Sequence, residues 1–152
     1  MSATGLTVIA LDEQSTLPIE LAAWQSLALA VLTDEGVDGL CELNLTFIES
    51  DEMAELNGQH MGKDGPTDVL SFPLDDEEDL AAPEDMPRLL GDVLICPEVV
   101  AAQAPDTTEE EMALMVVHGV LHILGMDHQE PDEEAEMKDA EQRHLSSWRN
   151  RR

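Results

Sequence analysis

Basic residues are scarce in this sequence. Seven lysines and arginines stand against 34 aspartates and glutamates among 152 residues, a net charge of −27. Such a surface is soluble and repels polyanions at long range. Nucleic-acid binding would need a local cluster drawn from Lys63, Arg88, Lys138, Arg143, Arg149, Arg151 and Arg152, and four of these fall in the last ten residues, RHLSSWRNRR. That stretch reads as a frayed basic terminus. The acidic coat reads first as a solvated surface, and second as an attraction for a basic partner protein. Cysteine is sparser still. Cys41 and Cys96 each lie in an apolar, strand-like run, which excludes a disulfide framework and a CxxC metal site. Both read as buried, reduced thiols, which points to the cytoplasm. No apolar stretch approaches the ~18 residues of a membrane span. The opening MSATGLTVIALDEQ has no basic residue before its first apolar run, so it does not read as a signal peptide. The expectation is one domain over residues 1–152, long enough to bury a core without staples.

Hydrophobic periodicity supplies the elements. Residues 6–13, LTVIALDE, read as a strand, and Ile19 to Glu35 as a buried helix ending before Gly36. In CELNLTFIES, residues 41–50, Cys41, Leu43, Leu45 and Phe47 alternate with Glu42, Asn44 and Thr46, the pattern of a half-buried strand. Residues 50–56 predict a short helix capped by Ser50, and the Gly- and Pro-containing 57–66 a loop. Strands follow at 67–74 and 91–98, each closed by a proline, with an exposed acidic loop between them at 75–87. A helix from Thr107 or Thr108 to Leu124 is stopped by Gly125. A last amphipathic helix, 132–148, puts Met137, Ala140, His144, Leu145 and Trp148 on one face. On its other face Glu134 pairs with Lys138 and Asp139 with Arg143. The class is α+β, a small mixed sheet of about four strands packed on helices.

Three of the five histidines fall in HGVLHILGMDH, residues 118–128. His118 and His122 lie four apart, about 40° from each other on one helix face. The neighbours Met115, Val116, Val117, Val120, Leu121, Ile123 and Leu124 are apolar, as on a buried helix. Two imidazoles there need a common partner, and a metal ion serves both. Gly125 lets the chain turn, so that His128 can return to face them. Three imidazoles leave a fourth tetrahedral position open, as in catalytic zinc sites. Asp127 can orient a ligand. His60 can approach the same site from its loop, and His144 reads as a packed or hydrogen-bonded histidine.

HxxxHxxGxxH also matches the histidines and glycine of the metzincin peptidase pattern, but Gly119 stands where those enzymes carry the glutamate base. A peptidase would thus keep the metal cage and lose its base. HGVLHILGMDH resembles more closely the YbeY family of bacterial endoribonucleases, whose signature has the form HGxLHLxGxDH. LNGQHMGKDGPTDVLSFP, residues 56–73, resembles that family's LN…GKD.PTDVLSFP segment, and LLGDVLICPE, residues 89–98, its LGDI.IC strand. The resemblance spans roughly residues 41 to 145. It implies an α+β fold, a zinc ion held by His118, His122 and His128, and metal-dependent cleavage of single-stranded RNA. It also implies a role in 16S ribosomal RNA 3′-end maturation and ribosome quality control. Ribosomal particles, through basic ribosomal proteins, would then be the partners of the acidic surface. Many members carry an arginine just before GKD, where this chain has Met61. Lys63 is the nearest cation left to neutralise a phosphate, with Asp127 as the orienting carboxylate. A zinc-stabilised ribosome-assembly factor that binds without cutting is the third alternative.

Overall fold

A computed structural model describes residues 5–74, 87–126 and 130–151. Residues 75–86 of the acidic loop expected at 75–87, and Asp127 and His128, lie outside these. The elements in chain order are β1 (Leu6–Glu13), α1 (Leu21–Asp34), β2 (Cys41–Ile48), α2 (Ser50–Met61), β3 (Val69–Pro73), β4 (Arg88–Ile95), α3 (Pro97–Gln103), α4 (Thr108–Ile123) and α5 (Pro131–Arg151). The sheet order is β1-β2-β4-β3, with β1, β2 and β4 parallel and β3 antiparallel to β4. This is the expected α+β class with a four-stranded mixed sheet.

The alternation in β2 does what period 2 requires. Cys41, Leu43, Leu45 and Phe47 are buried against the helices, while Glu42, Asn44 and Thr46 face the other way. On that second face Asn44 Nδ2 donates to Asp92 Oδ1 at 2.8 Å. The main core lies between the sheet and α1, α4 and α5. Each fully buried Leu or Phe there contributes ~1.5–3 kcal/mol by leaving water. A smaller cluster of Ile48, Met53, Leu70 and Cys96 sits beneath α2. Both cysteines are buried, and burial pushes the Cys96 thiol above its ordinary value. No helix among the described residues is long and apolar enough to cross a membrane.

Several boundaries differ from the sequence expectation. α2 does not stop at residue 56 but runs through Asn57 to Met61. Asn57, buried at 5 % exposure, donates from Nδ2 to the Gly65 carbonyl at 2.9 Å, so a polar residue fixes the helix to the turn beyond it. Gly62, with φ of 66°, then ends the helix. The N-cap of α2 is Glu49 rather than Ser50, and its carboxylate accepts from the Ser15 backbone amide at 2.6 Å. Pro97 closes β4 as expected but also opens α3, an element the sequence reading lacks. Proline suits a first helical position because its missing N–H would have no helical acceptor. In α5 the Lys138–Glu134 pair forms at 3.0 Å, whereas Arg143 reaches Glu35, just beyond α1, at 2.9 Å instead of Asp139. The same carboxylate also meets the buried His144 at 2.6 Å.

Candidate metal centre

α4 carries His118 and His122 one turn apart, with ring centroids 4.6 Å from each other and planes at 72°. Nine of its 16 residues are buried, but the two histidines are only half-buried. The expectation of a helix buried all round is corrected here, because the histidine face opens onto a cleft of about 360 Å³. Opposite them the cleft is lined by Ser71 and Asp68, and towards α2 by Asn57, Met61 and Lys63.

Two glycines set this geometry. Gly119 brings α4 hard against the sheet. A Cβ there would stand 2.6 Å from Val93 Cγ1 and 3.3 Å from both Ser71 Oγ and Val69 Cγ2. Ser71 Oγ donates to the Gly119 carbonyl at 3.0 Å, tying β3 to the helix between the two histidines. Gly125, with φ of 97°, ends α4 in the left-handed region. Its amide donates to the His122 carbonyl and that of Met126 to the Leu121 carbonyl, each at 3.0 Å. This paired closure is a Schellman motif and turns the chain directly after His122.

The contact that the sequence reading missed comes from α5. Glu141 Oε2 lies 2.6 Å from His118 Nδ1, on a residue only 9 % exposed. In a neutral imidazole this bond keeps the proton on Nδ1 and the lone pair on Nε2, the tautomer that ligates a metal. One signal was available. Glu141 is one residue after Ala140 and three before His144, so it sits on the inner face of an amphipathic helix, where a carboxylate needs a partner. Asp68 and Asn57 were missed as well. The Asp68 carboxylate accepts from the Val69 amide at 2.8 Å and from Thr67 Oγ1 at 3.2 Å, which holds the cleft wall in shape.

Of the residues singled out from sequence, His118, His122 and Lys63 meet at the cleft, and Met61 stands at its edge with 48 % of its surface exposed. His60 does not join them. It belongs to α2, and its ring packs on Phe72 at 5.0 Å. His144 is buried and bonded to Glu35, as a packed histidine should be. Asp127 and His128 lie outside the described residues, and among those described no three potential ligands converge. The two imidazoles present, one backed by a carboxylate, are the donor chemistry that zinc takes.

The family model for Endoribonuclease YbeY matches residues 10–149. Endoribonuclease YbeY of Salinispora tropica is 44 % identical over 153 residues, covering 95 % of this chain and 98 % of the relative. That of Beutenbergia cavernae is 42 % identical over 144 residues, covering 90 % and 94 %. The fold is similar to the solution structure of TM1509 from Thermotoga maritima, with a TM-score of 0.62 and 28 % identity over 95 % of this chain and 93 % of that one. With the HGVLHILGMDH segment, the cleft it lines and these matches together, the chain belongs to the YbeY endoribonuclease family.

Proposed function

We propose that this protein is a zinc-dependent, single-strand-specific endoribonuclease of the cytoplasm, acting in 16S ribosomal RNA 3′-end maturation and ribosome quality control. The observation that carries this is the His118–His122 pair, with Glu141 behind His118, opening on a polar cleft in a member of this family. His118, His122 and His128 would hold the zinc ion. When bound, zinc supplies Lewis acidity for a phosphoryl oxygen and acidifies water towards a pKa of ~7. The protein's own residues do the rest. Glu141 fixes the His118 ring, Lys63 neutralises a phosphate in the cleft, and Asp127 orients a ligand.

The packing at Gly119 argues against a peptidase. The glutamate base of that chemistry would have to replace a glycine at which any Cβ would stand 2.6 Å from Val93 Cγ1. Met61 leaves Lys63 as the cation lining the cleft, so substrate affinity rests on more than the cleft itself. Ribosomal particles supply it through basic proteins attracted to a chain of net charge −27. Changing the five acidic residues 75–79 to lysine should weaken sedimentation with ribosomal particles. Unaltered cosedimentation would remove this account of the charge.

The test of the activity is cleavage of a single-stranded 16S 3′-end RNA by wild type and His118→Ala, with casein as a control. Zinc-dependent RNA cleavage lost in the variant supports the nuclease. Binding to ribosomal particles with no cleavage by either protein supports a non-cutting assembly factor instead.

A further inference from the structure

His118 lines two cavities. One is the polar cleft described above, and the other is a groove of about 370 Å³ between α4 and α5. The groove lies within the ~300–1,000 Å³ of small-molecule sites. Its surface is chiefly apolar, with Leu114, Met115 and Met137 below the exposed Glu134–Lys138 pair, and the His118–Glu141 pair adjoins it. Met115 and Met137 are 7 % and 2 % exposed, so they form a floor, while the side chains of Lys138 and Glu134 are 70 % and 48 % exposed and form a rim. The polar cleft suits a phosphate. This groove does not, because its carboxylates repel one and its floor cannot solvate it.

Single strands are commonly held by stacking bases on aromatic side chains. This protein has four aromatics, two Phe and two Trp, and all are engaged elsewhere. Phe47 is fully buried, and Trp24 and Trp148 stack on each other at 6.0 Å with 6 % and 8 % exposure. Phe72 packs in the second core cluster and against His60. Methionine is the substitute at hand. Its flexible, polarisable thioether packs favourably against an aromatic ring and adapts to its shape.

We propose that the groove between α4 and α5 is a nucleobase subsite, taking the unstacked base of a nucleotide that flanks the bond cleaved in the polar cleft. This rests on the endoribonuclease function proposed above. The continuity of the two cavities through His118 places base and phosphate on opposite sides of one side chain. A base paired in a duplex cannot enter, which gives a physical origin for single-strand specificity. The rim offers a donor in Lys138 and an acceptor in Glu134, so either kind of base edge finds a partner and discrimination between bases is weak.

The experiment uses short single-stranded RNAs of the substrate sequence in which an abasic nucleotide is walked through the positions around the cleaved bond. Wild type should lose about tenfold or more in kcat/KM at one position only, and Leu114→Trp, which fills the groove, should lose as much on intact RNA with no further loss on that abasic one. The methyl NMR signals of Met115 and Met137 should shift on adding the intact RNA and stay put with the abasic RNA at that position. Uniform cleavage of the whole abasic series, or unmoved methyl signals, overturns the subsite. If wild type cleaves no RNA at all, the proposed activity falls, and the methyl signals alone then decide whether the groove takes a base.

Discussion

His118 and His144 each meet a carboxylate at 2.6 Å, the first reaching from α4 to Glu141 of α5, the second from α5 to Glu35 just beyond α1. Distance does not distinguish them; surroundings do. His144 is 3 % exposed, with Asp34 3.8 Å from its other nitrogen and Arg143 bonded to the same Glu35. Its neighbours complete a closed ionic cluster between two helices. The His118 side chain keeps 25 % exposure at a cleft, and its ring neighbour is a second imidazole rather than a second carboxylate. The same pair clamps helices in one place and, in the other, would orient a ligand of the proposed zinc ion. A hydrogen-bonded histidine is therefore assigned from what faces its second nitrogen.

The sharpest break in this comparison is a pair of alanine variants. His118→Ala should abolish RNA cleavage, at least ~100-fold as expected for losing a metal ligand or its support, while urea unfolding shows the fold retained. His144→Ala should do the opposite, lowering stability by ~2 kcal/mol through the cavity left by a buried side chain and the loss of its bond to Glu35, with cleavage per folded molecule unchanged. Next come the carboxylates. Glu141→Gln should weaken zinc affinity about 10–100-fold in a chelator competition, and Glu35→Gln should leave it alone. Gly119→Ala comes third. The crowding at Val93 should cost ~1–3 kcal/mol of unfolding free energy, in contrast to an alanine at an open helix position. Smallest is Met61→Arg, which puts a second cation beside Lys63. It should raise kcat/KM on RNA several-fold with no change in thermal midpoint, and a decrease would show that Met61 serves the cleft as it is.

What was legible followed from periodicity. The β2 alternation, the inner face of α5 and the spacing of His118 and His122 each depend on one element, and each appears as expected. The part that was not legible depends on two elements meeting. Glu141 becomes a partner of His118 only because α5 packs across α4, and Arg143 chooses Glu35 over Asp139 only because α1 ends beside it. The continuation of α2 past Asn57 was hidden for a related reason. Its Asn-Gly pair is a turn signal locally, but the bond from Asn57 to Gly65 makes helix the better solution. α3 was concealed because a proline after a strand reads as a stop, although the same residue starts a helix well.

In the proposed function the HGVLHILGMDH segment holds a metal. The most direct measurement of this is the metal content of protein purified without added metal, by mass spectrometry, for wild type and for His118→Ala, His122→Ala, His128→Ala and His144→Ala. The expected result is one zinc ion per chain in wild type and His144→Ala, and little or none in the other three. Metal-free wild type, or zinc retained at full stoichiometry in His118→Ala and His122→Ala, would contradict it.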